Sequence, residues 1–206
     1  MCCRAKGVWR LLELHIMLIT MNIITHALLG WSAGTRLSRQ GKDVALIAVA
    51  SMLPDVDGLG AVIDIINGGA AHYFTEFHHK FGHSILFCLL LMPIVYWLSR
   101  KNIRLTAWFV GIFHLHLFCD IIGARGPDGY QWPIYYLWPF SDIGFSWFGQ
   151  WYINAWPNIL LTILLIFDFL RRSARLGFTP LFLVSRGADS VLVDTLQKRF
   201  GGHSES

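Results

Sequence analysis

An all-α, polytopic helical membrane protein with about four to five hydrophobic helices is the fold class this 206-residue sequence predicts, on three observations. Hydrophobic residues make up 54% of the chain and charged residues 15%, with a mean hydropathy of +0.48, outside the usual range of a soluble globular domain. The apolar residues gather into stretches at 23–35, 44–53, 85–98, 105–122 and 155–167. The basic residues, which give a net charge of +4 and a pI near 9.0, sit in short clusters beside those stretches. That is the pattern of membrane topology rather than of a nucleic-acid surface. The partners expected are therefore the lipid bilayer and a small-molecule or lipid substrate, with no nucleic acid.

In chain order, residues 1–20 carry Arg4, Lys6 and Arg10 and an apolar run broken by Glu13 and His15, which imitates a signal peptide. Cleavage after Thr25-His26-Ala27 would match the small-residue rule poorly, so residues 1–20 are read as an N-terminal extension ahead of a natural start at Met21. Residues 21–170 are expected to form one membrane-embedded domain, and 171–206 a cytoplasmic tail with an amphipathic helix around 189–200. Several apolar stretches fall short of the ~20 residues that cross a hydrocarbon core. Short or interrupted segments are tolerable where their polar ends are covered by protein or line a wet cavity. The Gly-, Pro- and aromatic-rich segment 123–157 reads as a loop, most of its rings forming an interfacial belt. Cys2 and Cys3 are adjacent, and Cys88 and Cys119 lie inside apolar stretches, so no disulfide framework or CxxC metal site is implied.

Positive clusters fall at Arg36/Arg39/Lys42, Arg100/Lys101/Arg104 and Arg171/Arg172/Arg175. Placing all three in the cytoplasm lets the intervening segments alternate, with the C-terminus cytoplasmic and the 125–151 loop outside; only the basic residues of 1–20 run against this. At 1.5 Å per residue, His83 then lies roughly 25 Å from Arg100, Asp120 roughly 24 Å from Arg104 and Asp55 roughly 20 Å from Lys42. The titratable residues thus collect at the outer face.

Those residues suggest a metal. His79 and His83, and His116 and Asp120, are spaced i,i+4, which puts each pair on one face of a helix. His26, in a Thr-His pair, and Asp55 and Asp57, in LPDVDG, complete the set, with only Lys80 and Arg125 as neighbouring cations. Zinc takes neutral imidazole and carboxylate ligands, and seven such residues suffice for one or two ions. Unpaired carboxylates at a membrane boundary are costly, and divalent cations would offset them. Taken singly, LPDVDG also makes a turn or an N-cap, adjacent histidines also sit at interfaces, and a lone His116 is commonly a hydrogen-bonded core residue. Their convergence at one membrane face favours the metal. Helical phase prefers His79 over His78 as the partner of His83, although His78 can serve from a preceding loop. It turns His114 away, since His114 sits about 200° from His116. His72, Asp64 and Glu76 read as rim or capping residues, and Asp168 as a cytoplasmic helix end. Arg125 stands out in its loop, because a guanidinium beside a metal pair can hold a phosphate.

THALLG, LPDVDG, HHKFGHS, HLFCD and the later Trp138-Pro139-Phe140 occur in the order seen in the inner-membrane, metal-dependent hydrolase family related to the LexA-regulated YdjM protein, which residues 21–160 resemble. That family is distantly similar to the zinc-dependent phospholipase C and P1 nuclease group. The resemblance implies a bacterial inner-membrane location and implicates His26, Asp55, one of His78 or His79, His83, His116 and Asp120 as ligands. Many relatives read HRGxTHS where this chain reads HHKFGHS, with His78 in the register of the first His, Lys80 at the Gly and Gly82 at the Thr. The choice between His78 and His79 stays open on that departure.

The function expected is a membrane-bound, zinc-type hydrolase of phosphoester or phospholipid-type substrates, working through metal-activated water at the outer membrane face. Asp57 is expected to orient or deprotonate the water, and Arg125 or a second metal to stabilise the developing charge. The rival readings are an ion or proton transporter, which would place its site near the midplane between repeats, and a non-catalytic protein with a structural metal site.

Overall fold

The computed structural model describes residues 23–68, 72–126 and 128–200. Among them the chain forms eight α-helices and no strand: α1 (Ile23–Leu37), α2 (Gly41–Ala50), α3 (Gly60–Ile66), α4 (Tyr73–Phe77), α5 (Ile85–Leu98), α6 (Ile103–Gly123), α7 (Trp156–Leu176) and α8 (Arg186–Phe200). Two 3-10 turns, Leu53–Leu59 and Pro180–Leu183, link α2 to α3 and α7 to α8. The expected extension at residues 1–20 lies outside the described residues, as do Cys2 and Cys3.

Local sequence sets the helix limits. Ser84 caps α5 by accepting from the Phe87 amide at 3.2 Å, and Asn102 caps α6 through the amides of Arg104 and Leu105. Asp64, expected as a capping residue, takes the amides of Tyr73 and Phe74 at 2.9 and 3.0 Å and so fixes the start of α4. Pro157 lies in the first turn of α7, which Gly177 ends in the left-handed conformation. Among the described residues of 124–155 no helix forms, as expected, and two isolated bridges, Arg125 to Tyr152 and Ile134 to Phe145, hold that loop.

α1 and α2 pack as a close antiparallel pair because α1 offers two glycines one turn apart. A Cβ at Gly30 would strike the Ser51 side chain, and one at Gly34 would stand 3.1 Å from Val44 Cα. α2 in turn lies on α6 through Ile47, Leu105 and Ile112, while Ala50, Cys88, Phe109, Phe113 and Leu117 fill the core between α2, α5 and α6. Cys88 is thus a packing residue. At the far end of α1, Asp168 of α7 accepts from Arg172 Nε at 2.8 Å, lies 3.3 Å from Arg36, and accepts from the Ser32 hydroxyl. This joins the first and third basic clusters at one end of the bundle. Leu105 beside Ile47 brings the second cluster, at the start of α6, alongside α2. α8 packs on α7, with Val193 and Leu196 buried, in the segment where an amphipathic helix is expected.

The number of spanning helices differs from the expectation. Among the described residues, only α6 is long and apolar enough to cross a membrane alone, and α2 with the segment Leu53–Ile66 passes only as one span bent by 51°. One or two such helices replace the four to five expected. α5 has 14 residues, about 21 Å of helix, which is short of the core thickness. α1 spends Thr25, His26, Ser32 and Thr35 on buried contacts, and the last turns of α7 carry Asp168, Arg171, Arg172 and Arg175. Wide apolar faces nonetheless remain uncovered, among them Leu89, Leu90 and Trp97 on α5, Phe118 on α6 and Ile163 and Leu164 on α7. Exposure of apolar surface on that scale fits a lipid-facing protein.

Candidate metal centre

Four side chains from three separate segments meet below α1. Asp55 comes from the 3-10 turn after α2, His83 from the loop before α5, and His116 and Asp120 from one face of α6. One ligand atom from each lies within 4.8 Å of all the others. His116 Nε2 is 3.0 Å from Asp120 Oδ2 and 3.5 Å from Asp55 Oδ1. His83 Nε2 is 3.3 Å from Asp120 Oδ2, 3.9 Å from Asp55 Oδ1 and 3.3 Å from His116 Nε2. Their side chains are 0 to 7% exposed.

The outer nitrogen of each imidazole is tied down. His116 Nδ1 donates to the Ser51 carbonyl at 2.7 Å, and His83 Nδ1 donates to Asp57 Oδ2 at 3.0 Å. With both protons held there, each Nε2 turns its lone pair toward the cluster, the tautomer a metal ligand requires. Asp55 Oδ2 and Asp120 Oδ2 are buried without hydrogen-bond partners, as is His26 Nδ1. Buried carboxylate oxygens without donors, facing imidazole lone pairs, are unfavourable unless a cation sits among them. Two imidazoles and two carboxylates could hold a divalent metal ion.

Burial by itself would depress His83, but the Asp57 charge and the carboxylates of Asp120 and Asp57 outweigh it and lift this imidazole to about 9, so a metal at Nε2 would displace a proton that the carboxylates otherwise hold there. His79 goes the opposite way. Burial pushes it well below the ordinary imidazole value, reinforced by His78 and His83 beside it. His79 therefore stands as a neutral ring in a crowd of imidazoles.

The remaining expected ligands surround this group without joining it. His26 Nε2 lies 3.2 Å from Asp120 Oδ1, and its ring stacks on His116 at 3.8 Å between centroids. Asp57 receives His78 Nδ1 at 2.9 Å on one oxygen and, on the other, His83 Nδ1 and the Gly82 amide at 3.1 Å. His79 points Nδ1 at the Trp132 carbonyl, 3.4 Å away, and stacks near His83. Arg125 places Nε on the Gly129 carbonyl and its guanidinium over the Tyr152 ring, with no ion pair to the cluster among the described residues. His114 is turned away as its helical phase requires, onto the Val110 carbonyl and the Tyr136 hydroxyl.

The HHKFGHS block is not a helix, which corrects the reading of His79 and His83 as one helical face. α4 stops at Phe77, and His79 adopts a left-handed φ of 65° before α5 begins at Ile85. The turn is tight because a Cβ at Gly82 would overlap the Pro54 carbonyl oxygen. The glycine here thus lets the histidine loop rest on the carboxylate turn. Three supporting residues gave no signal in the sequence. These are Ser51, whose hydroxyl also donates to the His26 carbonyl at 2.6 Å, Gln150, which holds the Asp120 carbonyl at 2.8 Å, and Trp132. Ser51 and Trp132 meet the imidazoles through backbone carbonyls, which any residue supplies, and Gln150 reaches a backbone carbonyl across the loop, so no motif marks them.

Residues 21–195 match the family model described as YdjM inner membrane protein. No curated protein and no solved structure matches the chain, and the likeness to the phospholipase C and P1 nuclease group rests on the sequence resemblance alone.

Proposed function

The chain belongs to the YdjM inner membrane protein family, and on that premise we propose that it is an inner-membrane, metal-dependent hydrolase of phosphoesters. The observation that carries the reading is the convergence of Asp55, His83, His116 and Asp120 within 4.8 Å. These four would hold one divalent ion, zinc by donor chemistry, with His26, His78 and His79 beside them as candidates for a second. When bound, the ion supplies Lewis acidity at a phosphorus or carbonyl centre. Hydrolysis consumes one water: its oxygen bonds to phosphorus, the ester P–O bond breaks, and one proton passes to the departing alkoxide while the other ionises from the phosphate.

The protein's own part is positioning. The Ser51 carbonyl and Asp57 fix the imidazole tautomers, and the buried setting strengthens each charge interaction. Asp57 uses both oxygens on protein donors, so it acts through His83 and His78. Arg125, anchored on Gly129 and Tyr152, is assigned to the rim. The basic end of the bundle faces the cytoplasm and the centre faces outward, by the charge rule. A second reading has an observation of its own: four protein donors, nearly sealed from solvent, resemble a closed structural zinc site.

Purified full-length protein, loaded with zinc and shown to be folded, decides between them. Metal-dependent hydrolysis within a panel of phosphodiesters, phosphomonoesters and carboxylic esters supports the enzyme. A tightly held stoichiometric metal with no turnover of any member supports the structural site. Flux through sealed vesicles without product would mark a transporter.

A further inference from the structure

Between the carboxylate turn and the histidine loop, α3 and α4 are largely apolar on their outside. Leu59, Val62, Ile63, Ile65 and Ile66, on and beside α3, are exposed, with Ile66 the most open at 77%. Tyr73 and Phe77 of α4 continue this surface. Neither helix can span a membrane, at seven and five residues. The one carboxylate of α3, Asp64, is spent on the amides that start α4, which leaves the outer face of α3 apolar, and the one charge on α4 is the exposed Glu76.

This surface runs into the metal centre. Phe74 of α4 stacks on His78 at 4.5 Å between ring centroids, and Trp132 closes on both rings at 5.4 Å. His78 in turn is bonded to Asp57 at 2.9 Å. Its side chain is 10% exposed and that of Asp55 7%, whereas those of His83 and His116 are sealed at 0%. Contact between the centre and its surroundings therefore passes His78 and Asp55, beside an aromatic wall and the apolar face of α3. A water-soluble phosphoester would gain nothing from such an approach. An amphiphile in the bilayer, with its acyl chains against α3 and its phosphate at His78, matches both halves of it.

We propose that α3 and α4 rest in the lipid beside the metal centre and admit a bilayer phospholipid as its ligand. This deepens the hydrolase reading and rests on it for turnover, though not for binding. Uncovered apolar faces on α5, α6 and α7 give this inner membrane protein further surface for the bilayer.

The test uses the full-length, zinc-loaded protein in two arms. In the first, phosphatidylglycerol in mixed micelles and soluble bis(p-nitrophenyl) phosphate are compared for the wild type and for Ile63→Asp with Ile66→Asp. Lipid hydrolysis should fall by about tenfold or more while the soluble ester is cleaved as before. An equal effect on both substrates, or none on the lipid, overturns the proposal. In the second arm, benzoylphenylalanine at position 66 is irradiated in phosphatidylglycerol vesicles, with position 163 on the lipid face of α7 as the positive control. A lipid adduct at both positions supports the proposal. An adduct at 163 but not at 66, or a chain-to-chain crosslink at 66, overturns it. Absence of all turnover with a lipid adduct at 66 would remove the hydrolase reading and leave the lipid surface standing.

Discussion

Asp57 stands behind His83, its Oδ2 3.0 Å from Nδ1, on the side of the ring away from the four-donor cluster. A carboxylate in that place fixes the proton on Nδ1 and raises the basicity of Nε2. Replacing Asp57 by Asn breaks that pattern, since one amide cannot accept from His78, His83 and Gly82 together. Zinc affinity, measured by competition with a chelator, should fall by about 10- to 100-fold in Asp57→Asn with the helix content retained. Unchanged affinity together with lost turnover would instead return Asp57 to the water-orienting role expected from the sequence.

Removing a donor from the cluster should cost more than removing its support. His83→Ala, His116→Ala and Asp120→Ala are each expected to lose stoichiometric zinc by metal analysis of purified protein. His114→Ala should keep it, because that ring bonds Val110 and Tyr136 on the other side of α6. Full metal content in all four variants would show that the ion, if bound, sits elsewhere.

Gly82 is expected to be intolerant of any side chain. A methyl group there meets the Pro54 carbonyl oxygen and pushes the histidine loop off the carboxylate turn. Gly82→Ala should lower stability by about 1–3 kcal/mol in thermal unfolding, as overpacking does, and weaken zinc binding with it. Gly111, with nothing near its hypothetical Cβ, is the control, and Gly111→Ala should leave both properties intact.

Orientation can be read with reporters. The Arg36–Asp168 contact ties two basic clusters to one end of the bundle, 3.3 Å apart at their nearest atoms. Fusions after Arg175 and within the loop at Gly126 should report opposite compartments, with the Arg175 fusion cytoplasmic. The same compartment for both would refute the proposed topology.

The sequence by itself determined what depends on local periodicity and composition. The 3.6-residue period put His116 and Asp120 on one face of α6 and turned His114 away, since a single continuous helix obeys its own geometry. The loop after Gly123 and the membrane character were legible for the same reason. Tertiary structure decided the rest. The 3-10 turn of LPDVDG places Asp55 and Asp57 on different sides, so one carboxylate faces the cluster and the other stands behind it. The left-handed His79 and the bare Cα of Gly82 bend HHKFGHS into a loop, which defeats the helical spacing of its histidines. The count of spanning helices was overestimated because an apolar stretch carries no record of whether its faces meet protein or lipid. Convergence of residues 55, 83, 116 and 120 depends on contacts between segments far apart in the chain, and one sequence holds no period that encodes them.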